Sequence, residues 1–248
     1  MKNILLLFIL FSFMSCITND YVYREKDMQT AALSGVVLNE EGLPVEGARV
    51  TLNKTMDSFS DINGKFLFNT LLLGNNALEV RKKDYTVYTT QIKYSIKDKY
   101  GFYVKAKISS LNGLLKKGNE YLLERKYPDV DRILTEIERI NSENDAFLFL
   151  KAIYLYITNK YTESVAILEK LHEKDRMNNY YSLTLIKLYT NLKWYRKSAQ
   201  LAEFMYRYKA TEDINYLRDA AVIYKDILND DTNYQRIMND IERITNDK

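Results

Sequence analysis

The sequence predicts an α+β chain in separate domains: a small seven-stranded antiparallel β-sandwich followed by an α-helical solenoid of repeats. Three observations predict it. Apolar residues alternate from Leu33 to Ile108, glycine and proline turns cluster in that same stretch, and a 34-residue period governs the second half. The expected boundaries are a signal peptide over residues 1–15, a lipidated N-terminus and tether over 16–31, the sandwich over 32–108 and the helical repeats over 109–248.

The apolar run from Ile4 to Met14 follows Met1 and Lys2 and leads into Cys16, the only cysteine of the chain. A basic start, an apolar stretch too short to span a bilayer and small residues at a cut site make up a secretory leader. With no second thiol to pair with, Cys16 reads as a lipid acceptor. Phe13-Met14-Ser15-Cys16 resembles the lipobox of bacterial lipoproteins, with Ser15 as the small residue, while Phe13 and Met14 depart from the usual leucine and small side chain. The resemblance implies cleavage before Cys16 and acylation, with palmitate as the test label. At about 0.8 kcal/mol per buried methylene, two acyl chains hold a protein on a membrane almost permanently. An ordinary signal peptide cut elsewhere is the alternative. Ile17, rather than aspartate, after the cysteine favours the outer membrane of a cell envelope, with the periplasmic or surface face left open.

In the next segment Ala48, Val50 and Leu52 alternate with Arg49 and Thr51, Leu78 and Val80 flank Glu79, and Phe102, Val104, Ala106 and Ile108 alternate with Tyr103, Lys105 and Lys107. Such alternation puts one side of each strand in a core and the other in water. About seven runs separated by turn residues predict the sandwich. Asn63-Gly64 is expected to supply the positive backbone angles of a tight hairpin. The set Gly35-Val36-Val37, Gly42-Leu43-Pro44-Val45-Glu46-Gly47-Ala48 and Ser60-Asp61-Ile62-Asn63-Gly64-Lys65-Phe66 resembles the carboxypeptidase regulatory-like domain, a transthyretin-like sandwich, over about 65 residues. Asn76 departs where an aromatic is usual, and Asp84 where a glycine precedes Tyr85. The resemblance implies a structural or docking module without catalysis.

Beyond Ser109 the alternation stops. Tyr127, Tyr161 and Tyr195 are 34 residues apart, and columns around them keep register: Gly118, Ala152 and Ile186; Tyr121, Leu155 and Tyr189; Val130, Ser164 and Ser198; Leu134, Leu168 and Ala202; Ile137, Leu171 and Met205. A 34-residue unit of two amphipathic helices resembles the tetratricopeptide repeat (TPR). Three divergent repeats are expected, with a terminal pair over about Asp213–Leu228 and Asn233–Ile244 covering the last face. A chance helical bundle is the alternative.

Chemistry-bearing groups are sparse. His172, the only histidine, lies among Glu169, Lys170, Glu173 and Lys174 and reads as a surface residue. Glu136 with Glu138, Asp240 with Glu242, and Glu169 with Glu173 read as charges on wet faces. Asn229, Asp231, Asn233 and Asp240 echo a calcium loop without its glycine and closing glutamate, so capping by Asp231, Thr232 or Asn233 is the better account. No enzyme, catalytic residue, cofactor or metal is expected. A net charge of +3 from 36 basic and 33 acidic residues indicates no nucleic-acid partner.

Aromatics make up 13% of the chain, including 21 tyrosines. On the first helix of each repeat, Leu115, Asn119 and Leu122, then Phe149, Ile153 and Tyr156, then Tyr180, Leu183 and Lys187 form stripes that stacked repeats would align into a groove. That groove would receive a helix or extended segment of an envelope protein or peptide partner. The same residues could instead be core between crowded helices. The expected function is therefore a membrane-anchored lipoprotein acting as a non-catalytic adaptor or scaffold, with oligomeric state open. The alternative is a lipoprotein whose tyrosines stack on glycan or peptidoglycan, which calls for a flat exposed array of Tyr156, Tyr180 and Trp194.

Overall fold

The computed structural model describes residues 22–25, 33–95, 98, 101–208 and 212–246. The signal-peptide and Cys16 expectations lie outside them. Within the expected tether, Val22–Glu25 is instead a strand, β1. The chain divides into two compact units, Met1–Ser110 and Leu111–Lys248. Among the described residues no helix is long and apolar enough to cross a membrane.

The first unit has eight described strands rather than seven: β1 (Val22–Glu25), β2 (Leu33–Leu38), β3 (Arg49–Leu52), β4 (Met56–Phe59), β5 (Lys65–Phe68), β6 (Gly74–Arg81), β7 (Tyr88–Tyr94) and β8 (Gly101–Lys107). They form two four-stranded sheets, ordered β1-β8-β2-β5 and β4-β3-β6-β7. The second is antiparallel throughout, but in the first β2 runs parallel to β8, with Leu33 opposite Phe102 and Leu38 opposite Lys107. That corrects the all-antiparallel expectation. Parallel neighbours need a long crossover, and the five strands between β2 and β8, which pass to the other sheet and back twice, supply it. The alternating residues behave as their period requires: Ala48, Val50, Leu52, Leu78, Val80, Phe102, Val104, Ala106 and Ile108 belong to one buried core to which both sheets contribute.

The turns differ in detail. The Asp61–Gly64 turn joins β4 to β5 across the two sheets and is not a hairpin; of its residues Gly64 alone has positive φ, at 74°. The Asp61 carboxylate organises the turn by accepting from the Asn63 and Lys65 amides. A Cβ on Gly64 would meet the Val37 carbonyl oxygen at 2.5 Å. The hairpin that uses positive angles is β3–β4, where Asn53 and Lys54 have φ of 54° and 62°.

The second unit is four helix pairs: α1 (Leu111–Leu123) with α2 (Tyr127–Asn141), α3 (Asp145–Ile157) with α4 (Tyr161–Lys174), α5 (Asn179–Asn191) with α6 (Tyr195–Arg207), and α7 (Asn215–Val222), continued by a π-helical turn Ile223–Ile227, with α8 (Asp231–Asn246). This is a tetratricopeptide-like helical array. Tyr127, Tyr161 and Tyr195 open the second helices. Two residues before them Arg125, Asn159 and Lys193 take the left-handed conformation, and Asn229 does so before Asp231. In the first three pairs this residue and its successor donate back to the preceding helix: Arg125 to Leu122 and Lys126 to Tyr121, Asn159 to Tyr156 and Lys160 to Leu155, Lys193 to Thr190 and Trp194 to Tyr189. Those paired bonds are Schellman caps, which satisfy the last carbonyls of a helix. In the fourth pair Asp230 reaches back to Tyr224, one residue further, because the π turn has taken up an extra residue. Asn144 and Asn178, also 34 apart, cap α3 and α5 through Phe147 and Tyr180.

The repeat columns form the cores. Val130, Ser164 and Ser198, Leu134, Leu168 and Ala202, and Ile137, Leu171 and Met205 are all buried. Ser164 donates to the Ala152 carbonyl at 2.7 Å and Ser198 to the Ile186 carbonyl at 3.3 Å, so each hydroxyl ties the second helix of its pair to the first.

Candidate docking site

The nine residues expected to line a groove separate into three kinds. Leu122 is buried in the core shared by α1, α2 and α3, which corrects its placement on an open face. Leu115 and Ile153 pack half-buried against the same core, while Phe149 and Tyr156 pack against that of the third and fourth helices and α5. Phe149 lies 5.2 Å from the Tyr181 ring and Tyr156 5.8 Å from Tyr161. Leu183 is half-buried, and Asn119, Tyr180 and Lys187 are exposed. Apolar stripes on crowded first helices are thus spent largely on packing between pairs. The array suited to a flat sugar face is not formed either. Of its rings Tyr180 is 72% exposed, whereas Tyr156 is packed and Trp194, 39% exposed, has the Lys197 ammonium 5.0 Å from its ring and the Tyr189 ring 6.0 Å away.

Two clefts open elsewhere in this unit. One, of about 420 Å³, is lined by Lys193, Trp194, Tyr195, Arg196, Lys197 and Leu228. Its cations are largely engaged: Arg196 with Asp230 at 3.2 Å and Lys197 with Glu169 at 3.0 Å. Glu169 also accepts from the Tyr189 hydroxyl at 2.8 Å. Burial acts to raise the Glu169 carboxyl, and the Lys197 and Tyr189 hydrogen bonds outweigh it, leaving it below the usual range.

The second cleft, of about 290 Å³, lies among α5, α6 and α7, lined by Ile186, Thr190, Ser198, Ala202, Tyr216, Asp219, Val222 and Ile223. Thr190 and Ser198 satisfy each other and the Ile186 carbonyl. Val222 stays 53% exposed at the rim. Burial, with the charges of Asp213 and Asp219, pushes the Tyr216 phenol above its ordinary value. Tyr216, Asp219, Val222 and Ile223 were not legible as site residues, because the terminal pair read as a cover. The usable signal was a pair of adjacent apolar residues, Val222 and Ile223, three and four positions after Asp219 on a helix expected to close the array.

His172 is not a surface residue. It is half-buried between α4 and α5, with its Nδ1 3.2 Å from the Ser182 hydroxyl and its ring edge-on to Phe204. Burial, then Arg176, lowers its pKa against the opposing Asp175 and Glu173. Ser182 is fully buried, so its hydroxyl is not open to a substrate. Glu138 pairs with Lys151, and Asp240 with Arg207. Asp230, rather than Asp231, Thr232 or Asn233, caps α8 by accepting from the Asn233 amide. Among the described residues no group of three histidine, cysteine or acidic side chains is placed to hold a metal.

No family model and no curated protein matches the sequence. The helical part is similar to solved structures of MamA AMB-1, at 14% identity and TM-score 0.44 over 53% of this chain and 78% of that one. It is also similar to YrrB, described as a TPR protein with an unusual peptide-binding site, at 11% identity and TM-score 0.43 over 52% and 66%. A third, MamA residues 41 to the end from Desulfovibrio magneticus RS-1, has 16% identity and TM-score 0.41 over 46% and 64%.

Proposed function

We propose that the chain is an envelope lipoprotein, held on a membrane through acylated Cys16, whose helical unit docks another protein without catalysing a reaction. The observation that carries the docking reading is the cleft among α5, α6 and α7, where Ile186, Val222 and Ile223, none of them fully buried, line an opening together with the core residue Ala202. The leader and the lone cysteine support the anchor. The turn motifs support a regulatory-like spacer in the first unit.

Photocrosslinking in the native envelope tests the docking. A photoreactive amino acid in place of Tyr180 or Val222, both exposed, is expected to capture one defined protein, and Ile186→Glu in the same background is expected to abolish that capture. Capture that survives Ile186→Glu removes the cleft from the function. Labelled palmitate should enter wild-type chain and not Cys16→Ala; label retained by the variant removes the anchor.

A further inference from the structure

The cleft among α5, α6 and α7 has an unusual balance of groups. Its floor and rim are apolar, from Ile186, Ala202, Val222 and Ile223, and its inner hydroxyls are satisfied by one another. Two polar groups are left over. The exposed Asp219 carboxylate has no ion pair and no hydrogen bond among the described residues, and the half-buried Tyr216 hydroxyl likewise has none. Arg218, the neighbouring cation, turns its guanidinium to the Asn215 side chain at 3.2 Å instead of to Asp219. Three acids that link helices elsewhere in the unit are paired: Glu203 with Arg207 and Arg236, Glu169 with Lys197, Asp230 with Arg196.

A carboxylate left unpaired at the mouth of an apolar cleft is complementary to a ligand that is apolar along its length and cationic at its tip. Arginine and lysine side chains have that construction, with a methylene stem that covers apolar surface and a charged head that stays at the rim. We propose that this cleft receives a single arginine or lysine side chain of a partner polypeptide, its stem over Ile186, Val222 and Ile223 and its head on Asp219. Tyr216 is placed to accept a further hydrogen bond from a guanidinium, which favours arginine, whose planar head offers five donors. The cleft's volume, about 290 Å³, sits at the lower limit for small-molecule sites and suits one long side chain. The exposed Val222 beside it gives the flanking residues of that partner an apolar surface. This assignment rests on the docking reading and names the partner chemistry for its site.

The test uses the full chain, methyl-labelled for NMR, and three acetylated, amidated pentapeptides that differ only at the centre between two leucines: arginine, lysine or citrulline. Citrulline keeps the shape of arginine and removes the charge. The arginine peptide is expected to shift the Ile186, Val222 and Ile223 methyl signals and to bind about tenfold more tightly than the citrulline peptide, the ratio a charge-assisted hydrogen bond provides. Asp219→Asn, whose side chain supports nothing else, is expected to keep the fold and bring that ratio to about one. Asp219→Lys should turn the preference toward a glutamate-centred peptide. Equal affinity for arginine and citrulline peptides, or an undiminished ratio in Asp219→Asn, overturns the proposal. Shifts confined to Leu115, Ile153 or Leu183 overturn it as well, yet leave docking by the helical unit in place. Absence of any shift also overturns it, and the crosslinking at Val222 then decides the docking reading separately.

Discussion

Several residues are held in the left-handed backbone region without being glycine, and each carries an avoidable cost. Asp84 has φ of 63° and Arg125 of 58°. An L-residue there crowds its Cβ against the following carbonyl, a cost of about 1–2 kcal/mol that glycine escapes, partly offset by glycine's greater freedom in the unfolded chain. Asp84→Gly and Arg125→Gly are therefore each expected to stabilise the protein by about 0.5–1 kcal/mol, read as a higher urea midpoint with unchanged slope. A lower midpoint would show that the native side chain contributes more than the backbone loses. Asn76 works in the opposite sense. Fully buried at the site of an expected aromatic, its amide accepts from Asn53 Nδ2 and the Leu72 amide and donates to the Leu72 and Gly74 carbonyls. It thereby ties the β3–β4 hairpin to the loop before β6. Asn76→Leu strands several of those groups, and a loss of about 3 kcal/mol is expected in the same denaturation assay; a loss under about 1 kcal/mol means water replaces the side chain.

At the scale of elements, what the sequence displayed was periodic, and what it concealed was local or non-local in a way that period does not record. The 34-residue columns located every second helix of the first three pairs, because Val130, Ser164 and Ser198 and their companions must all reach a core. The same logic made Leu122 and Phe149 look like groove residues, since periodicity marks a face as apolar without saying whether another helix covers it. The parallel partnership of β2 with β8 was hidden because alternation is identical in parallel and antiparallel strands that bury one face. The π turn after α7 leaves no compositional trace, and it re-aims the residues around Ile223 that line the cleft. One tie between elements is open to test. Glu203 on α6 meets Arg236 of α8 at 2.5 and 2.8 Å and also Arg207 of its own helix, which in turn reaches Asp240. Burial acts to raise the Glu203 carboxyl and the two arginines outweigh it, so it is held below the ordinary range. A lowered carboxyl contributes stability in full above its unfolded value, near 4.3, and loses it as pH falls through the folded value. Glu203→Gln is expected to cost about 1–2 kcal/mol at pH 7, discounted for the part-exposed arginines, and to shrink the difference from wild type toward pH 3. A difference that stays constant from pH 7 to pH 3 excludes the ion pairs as its source.

At the scale of the whole molecule, two units with separate cores and separate titrating groups should respond differently to pH. The single histidine of the chain, His172, lies in the second unit, and the first contains none. Its ring spans packed helices: Nδ1 faces the Ser182 hydroxyl of α5, the ring edge meets Phe204 of α6, and Arg176, Asp175 and Glu173 supply the nearby charge. Burial and Arg176 favour the neutral imidazole, so the folded pKa lies below the unfolded value of about 6.5. The unfolded chain then binds the proton more readily. The contribution of His172 is complete above pH 6.5 and declines as pH falls from there through the lowered folded value. Carboxyl groups ordinarily titrate at about 4, below this window, and histidine is the side chain whose ordinary value falls inside it. Thermal unfolding of the intact chain between pH 7.5 and 5.5 is accordingly expected to show the transition of the helical unit, followed by Trp194 fluorescence, moving down by a few degrees while that of the strand-rich unit stays in place. His172→Gln, which hydrogen-bonds without titrating, should hold both transitions level across the same range. If the Trp194 transition is insensitive to pH in wild type, the ring is not held neutral between those helices; if both transitions move together, the two units do not unfold independently.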